Sequence, residues 1–310
     1  MTLTVKQLLN QFRQQSTPNK GEKLHFTGVG DRDVYNITAP FTDRNEKVIA
    51  GRVEPRKSEY SEVMFFSKEG EEWKPRKAAP TFELQDPFIV TIHEQLVFGG
   101  VEVAPDPAKE GALQWKTVFY KGANISELQR FAEGPKGMKD IRLVELPDHR
   151  IGICTRPQGE KGGRGKIGYT EIETLDQLTA QVIEDAPLLK EHFVKEEWGG
   201  ANELYLFDGG KIGILGHIAR FDGAGNRHYY PMTCLLNRKE MKLEEMKIIA
   251  VRDDFPGGEA KREDLTDVLF SGGLVQVGHG EVELYVGVSD AEAHKIRIPD
   301  PFQIKGGEHV

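Results

Sequence analysis

The chain has 310 residues, of which 38% are hydrophobic and 29% charged, a composition that supports an ordinary globular core. Its formal net charge of -8 argues against a nucleic-acid partner or an anionic membrane surface, since both demand a basic face. No apolar run approaches the roughly 20 residues that span a bilayer, and the opening MTLTVKQLLNQFRQQ lacks the apolar core of a signal peptide, so a cytoplasmic protein is expected.

In chain order, the first element is a helix. Val5, Leu8, Leu9 and Phe12 fall at i, i+3, i+4 and i+7 with Thr4 as cap, so residues 1–20 are read as a helical segment. After Gly21 the texture changes to short apolar or alternating runs between turns rich in Gly, Asp, Asn and Pro. KVIAGRV at 47–53, EVMFF at 62–66, FIVTI at 88–92, QLVFGGV at 95–101 and KTVFY at 116–120 have the length of ordinary strands. The pattern continues at 141–146, 150–155, 203–207, 211–218, 228–236, 273–277 and 282–288. Residues 175–183 fit either a short helix or an extended edge. No long helical pattern separates the strands, which excludes a βαβ architecture. Cys154 and Cys234 sit in apolar runs and read as buried thiols rather than a disulfide.

Segments opening near residues 30, 85, 138, 200 and 267 each start on a polar motif and lead into a hairpin. That spacing suits four-stranded blades arranged radially. Asp86-Pro87-Phe88 recurs as Asp300-Pro301-Phe302, a second hint of repetition. Residues 21–310 are therefore expected to form one all-β domain, a five-bladed β-propeller preceded by the short helix. Two tempting motifs fail. His93-Glu94 has Val97 where a metalloprotease helix needs its second His, and KGGRGKIG at 161–168 has Glu160 and Ile167 where a phosphate loop needs Gly and Ser or Thr. No ligand spacing demands a metal, and no cofactor is expected.

Five clusters place charged residues in Gly-rich or apolar surroundings at strand starts: GRVEPR at 51–56, QDPF at 85–88, GMKDIR at 137–142, EWGGANE at 197–203, and FSGGL at 270–274 followed by GVSDAEAH. In a propeller the innermost strand of each blade lines a shared channel, so these residues would converge on one pocket. Asp140, between Lys139 and Arg142, reads as a carboxylate held ionised by cations, acting as a base, binding a hydroxyl, or forming an internal ion pair. Glu203 or Glu197 is the other candidate base, beside a Gly199-Gly200 pair that would let a ligand approach the backbone. Trp198 offers a stacking face or a core ring. Arg52, Arg56, Lys139 and Arg142 supply cations for phosphate or an acidic ligand, whereas Lys261 and Arg262 read first as solvated surface. Glu54, Asn202, His217, Tyr229, Ser271 and Asp290 complete the polar set expected to contact ligand, His217 with a buried core role as its alternative and Asp290 with a turn role.

Taken together, GRVEPRKSEYSEVMFF, LQDPF, MKDIRL, EWGGANE, LGHIA, LFSGGL and LYVGVSDAEA resemble the bacterial domain-of-unknown-function family 1861, from about residue 26 to residue 302. More distantly, the motif order is similar to glycoside hydrolase families 43 and 130, which are five-bladed propellers. That resemblance implies cleavage of a glycosidic bond in a central pocket, with Asp86 matching the aspartate of the family 130 D-P motif and so its proton donor. Phe88 departs from the pattern, because the phosphorylases of that family carry an arginine there. A hydrolase, inverting if it holds two carboxyls about 6.5–9.5 Å apart, is thus expected ahead of a phosphorylase using inorganic phosphate. A non-catalytic glycan-binding propeller is the further alternative. The expected partner is an oligosaccharide or glycoside.

Overall fold

The computed structural model describes residues 2–15 and 20–302. Residues 1, 16–19 and 303–310, the remainder of the two expected segments, lie outside the described residues. The protein is mostly β with few helices. The opening helix forms over Val5–Gln15 and buries Val5, Leu8 and Leu9. Thr4 caps it, its Oγ1 accepting from the Gln7 amide at 3.3 Å. The helix docks on the chain's own sheet structure, against Leu189, Phe193, Leu243 and Ile248.

The strands form four sheets. The first pairs Asp33–Tyr35, Glu46–Glu54, Glu62–Glu69 and Glu72–Pro75 antiparallel. The second runs Gln85–Ile92, Gln95–Pro105, Leu113–Gly122 and Gln129–Glu133. The third has three strands, Arg142–Glu145, Ile151–Thr155 and Gly168–Ile172. The largest holds two antiparallel groups. One is Trp198–Phe207, Lys211–Phe221, Arg227–Asn237 and Lys242–Ile248; the other is Asp267–Gly278, Glu281–Val288 and Glu292–Pro299. A short parallel seam, His228 and Tyr229 beside Asp267 and Val268, joins them. Glu22–Lys23 then pairs antiparallel with the final strand, so the chain's beginning completes its last group.

Apolar residues on alternate strand positions pack between neighbouring groups. Phe88 and Phe119 meet Ile141 and Ile153 between the second and third sheets. Ile49 and Phe66 share a cluster with Tyr285 and Ala293, which joins the first group to the last. Each fully buried Phe contributes about 1.5–3 kcal/mol of transfer free energy. The Ala39 amide also donates to the Gly272 carbonyl at 3.1 Å across that junction.

One segment left open by the sequence takes a definite form, and one pair of motifs differs from expectation. Residues 175–183 are helical, a turn at Leu175–Gln177 followed by a helix at Ala180–Asp185 that packs Ile183 against the third sheet. The two Asp-Pro-Phe motifs are also not equivalent. Asp86-Pro87-Phe88 lies inside the strand Gln85–Ile92, whereas Asp300 follows the last strand and its carboxylate accepts from the Phe302 amide at 2.9 Å. Cys154 and Cys234 are free and buried, and no described helix is long and apolar enough to cross a membrane.

Candidate active site

Four polar residues at or beside strand ends share one backbone feature. Asn36, Asp86, Asp140 and Asp290 all have positive φ, at 44°, 48°, 58° and 49°. Asn and Asp reach this left-handed region more readily than other residues with a Cβ, yet each still costs of order 1–3 kcal/mol. At Asp86 the cause is a bulge, since the register with the next strand shifts between Gln85 and Phe88. All four residues line one cavity of about 210 Å³.

Its charge is unusual. Six cationic side chains, Arg52, Lys139, Arg156, Arg227, Lys261 and Arg262, line it with four carboxylates, Glu59, Asp86, Asp140 and Asp290. Asp86 accepts from Asn36 Nδ2 at 2.8 Å and from Arg52 Nη1 at 3.2 Å, with Lys139 Nζ at 3.8 Å. Burial opposes its charge, but Arg52 and Lys139 outweigh burial and hold its pKa down to about 2. Asp140 is also held low, with Arg156 Nη1 at 3.5 Å and Arg142 Nη2 at 4.0 Å. Asp290 goes the other way. Burial raises its pKa, and the charge on Asp86 pushes in the same direction.

Arg52 is set by Glu54, which is buried and not on the cavity wall. Glu54 accepts from Arg52 Nη2 at 2.6 Å and Nε at 3.2 Å, from the Tyr35 hydroxyl at 2.7 Å, and from Lys261 Nζ. Lys261 is therefore not the solvated surface charge expected of it, because its side chain is 5% exposed and also reaches Glu59 at 3.2 Å. His217 lines the cavity too. Its Nδ1 lies 2.9 Å from Asn202 Oδ1, its ring stacks on Tyr229, and burial drives its pKa down to about 3, so the imidazole is neutral. With Nδ1 donating to Asn202, Nε2 is left as an acceptor.

Of the residues singled out in the sequence, Arg52, Asp86, Lys139, Asp140, His217, Tyr229, Lys261, Arg262 and Asp290 meet in this cavity. The others stand behind or away from it. Trp198 is a core ring whose Nε1 donates to the Tyr229 hydroxyl at 3.0 Å. Arg56 pairs with Asp33 and Glu259. Glu197 accepts from the Val5 amide at 2.8 Å and so serves the start of the opening helix. The Ser271 hydroxyl donates to the Gly216 carbonyl at 2.9 Å. Arg142 donates to the Asn202 carbonyl at 2.6 Å and lies 4.4 Å above the ring of Phe88.

Arg156, Asn36 and Arg227 were not singled out in the sequence. Arg156 is the most informative of them. Its Nε donates to the Gly199 carbonyl at 2.9 Å and its Nη2 to the Arg164 carbonyl at 3.2 Å, while Nη1 has no hydrogen-bond partner among the described residues. A Cβ on Gly200 would lie 2.6 Å from Arg156 Cδ, and one on Gly165, at φ +142°, 2.6 Å from the guanidinium. Gly200 and Gly165 thus make room for an arginine.

Glu203 lies elsewhere. It lines a second cavity of about 720 Å³, built from residues further along the same first strands, and shares that wall with Arg142, Asn202 and Tyr205. Burial pushes its pKa up to about 7 against the Tyr205 hydroxyl, which donates to it. A carboxyl raised in the fold favours folding at pH below its unfolded pKa, and that contribution is lost as pH rises from about 4.5 through 7. Glu203→Gln is therefore expected to match wild type in thermal unfolding at pH 5 and exceed it at pH 8, by about 3 kcal/mol. Parallel pH profiles for the two proteins would refute that placement of its proton.

The family described as "Protein of unknown function (DUF1861)" matches residues 10–304. A mannose phosphorylase from Leishmania mexicana, solved with phosphate ion, is 32% identical, with a TM-score of 0.90 over 98% of this chain and 95% of that one. A GDP-Man-dependent mannosyltransferase from the same organism is also 32% identical, with a TM-score of 0.89 over 99% and 97%. A β-1,2-mannobiose phosphorylase from Listeria innocua shares the fold at 13% identity, with a TM-score of 0.63 over 87% and 91%. No curated protein matches the chain.

Proposed function

The chain belongs to the DUF1861 family, and from that premise we propose that it is a glycoside-processing enzyme that phosphorolyses a mannoside. The observation that carries the reading is the excess of cations in the cavity, with Arg156 Nη1 buried there and free of any hydrogen bond among the described residues. A hydrolase has no use for that surplus, since its second reactant is neutral water. A phosphorylase must bind an anion beside the anomeric carbon, and guanidinium groups suit phosphate. The balance moves from the hydrolase expected first to the phosphorylase. Two relatives at 32% identity are a mannose phosphorylase and a mannosyltransferase, which supports mannose as the sugar. We read the architecture as five blades around an axis, the two groups of the eight-stranded sheet counting separately.

In this reading a phosphate oxygen attacks the anomeric carbon, the glycosidic C–O bond breaks, and the leaving oxygen takes one proton. An inverting phosphorylase needs a single acid for this. Asp290 supplies it, because burial and the charge on Asp86 raise its pKa against the pull of Arg52, Lys139 and Lys261. Asp86 and Asp140 stay ionised and accept sugar hydroxyls, while Arg156, Lys139 and Arg227 hold the phosphate. His217 presents its unprotonated nitrogen to a hydroxyl. Two carboxyls with pKa values driven apart in one pocket is the pattern by which acid and charge-bearing roles divide.

The test is mannose-1-phosphate formation from mannosides, with and without phosphate, on wild type and Arg156→Ala. Product should require phosphate, and the variant should raise the KM for phosphate at least tenfold with the KM for sugar little changed. Free mannose released at the same rate without phosphate would mean hydrolysis instead.

A further inference from the structure

A third cavity, of about 640 Å³, lies between the first and second sheets and shares two lining residues, Glu59 and Gln85, with the central one. The Gln85 amide donates to the Glu59 carbonyl at 2.7 Å, so the two hollows meet along a fixed piece of wall. The floor is apolar, from Val53, Leu84, Val101, Val103 and Pro105. Its volume falls within the range of small-molecule sites.

Tyr60 lines this hollow while remaining 60% exposed, the most exposed large hydrophobic side chain among the described residues. It does not hang on a loose loop. The Tyr60 amide donates to Ser58 Oγ at 2.9 Å, the Ser58 amide to the Pro55 carbonyl at 2.9 Å, and Ser61 Oγ to the Leu84 carbonyl at 3.0 Å. A ring carried on a fixed backbone at the mouth of a hollow, and still mostly exposed, is positioned for a flat partner with an apolar face. The rim charge says which kind. Glu59, Glu62 and Glu83 contribute carboxylates, and the one cation, Arg32, is already bound to Glu62 at 2.9 Å. Such a rim repels phosphates and nucleotides but accepts hydrogen bonds from neutral hydroxyls.

We infer that this hollow is a subsite for uncharged sugar residues of the oligosaccharide beyond the bond that is broken, with Tyr60 as its stacking platform. The inference rests on the glycoside-processing reading of the central cavity. It makes the natural substrate a chain longer than a disaccharide. It also divides the ligand by charge, with phosphate directed to the cationic cavity and the neutral chain to the carboxylate-rimmed one.

The experiment measures binding by calorimetry, and turnover with phosphate, for β-1,2-linked mannose oligosaccharides of two and four residues. Wild type, Tyr60→Ala and Tyr60→Phe are compared, and GDP is titrated alongside. Wild type should bind the tetrasaccharide about tenfold more tightly than the disaccharide. Tyr60→Ala should erase most of that preference while leaving kcat and KM for the disaccharide within twofold, and Tyr60→Phe should keep it. Equal affinity for both lengths with the disaccharide still turned over overturns the subsite and leaves the enzyme reading standing. Saturable GDP binding that Tyr60→Ala abolishes overturns it in favour of a nucleotide site. A wild type that neither binds nor converts any of the sugars overturns the reading of the central cavity and this inference with it.

Discussion

Asp290→Asn is expected to lower kcat for an unactivated mannoside by roughly 10²–10⁴-fold, the range for loss of a positioned acid, while sugar affinity stays within a few fold. The argument is electrostatic. Burial and the neighbouring Asp86 both raise the pKa of Asp290, so the wild-type rate should fall as pH climbs through that pKa. The variant should lack this alkaline limb. A mannoside whose leaving group departs without a proton should restore much of its rate. Asp86→Asn is expected to be damaged on both substrates alike, because Asp86 is the ionised partner of Arg52 and Lys139 and acts before any proton moves. The reverse result, with Asp86→Asn rescued by the activated substrate and Asp290→Asn nearly unimpaired, would make Asp86 the acid. Its pKa near 2 would then have to rise when sugar displaces its cationic partners.

Sequence reasoning reached the strands because the apolar alternation has a period of two and the turns carry Gly, Asp, Asn and Pro. All five expected segment starts fall within four residues of strands that open at Asp33, Gln85, Arg142, Trp198 and Asp267. Residues 175–183 stayed open because a short amphipathic run of that length satisfies either period. In the site, residues inside the quoted motifs were found, and Asn36, Arg156 and Arg227, which lie outside them, were missed. Asp86, Asp140 and Asp290 are visible because each stands in a charged or Gly-rich motif beside an apolar strand. Arg156 follows the fully buried strand Ile151–Thr155, and its glycine seat at Gly199 and Gly200 lies some forty residues away. Only the fold brings those together. Glu54, Trp198 and Asn202 were drawn towards the site as ligand contacts, Trp198 with a core ring as its alternative; in the structure each holds a residue that lines the cavity. Spacing along a strand cannot tell a lining residue from the one that supports it across the sheet.

Glu54→Ala should be the most damaging single change to stability at the site. Its carboxylate is 1% exposed and accepts from Arg52, Lys261 and Tyr35 together. Removing one member of a buried ion pair leaves the other charge uncompensated and costs about 3–5 kcal/mol. Here the lower end applies, since Arg52 keeps Asp86 at 3.2 Å and Lys261 keeps Glu59 at 3.2 Å. For a chain of this length that corresponds to a fall in Tm on the order of 5–10 °C. Below that transition the variant should also turn over slowly, because Arg52, no longer fixed from behind, ceases to hold Asp86 in its ionised geometry. Glu54→Gln keeps the volume but turns an amide toward three donors, so it should fall between the two. Thermal unfolding and activity measured on the same preparations separate the effects. A Tm within 2 °C of wild type, with activity intact, would mean that Asp86 and Glu59 alone suffice to hold both cations.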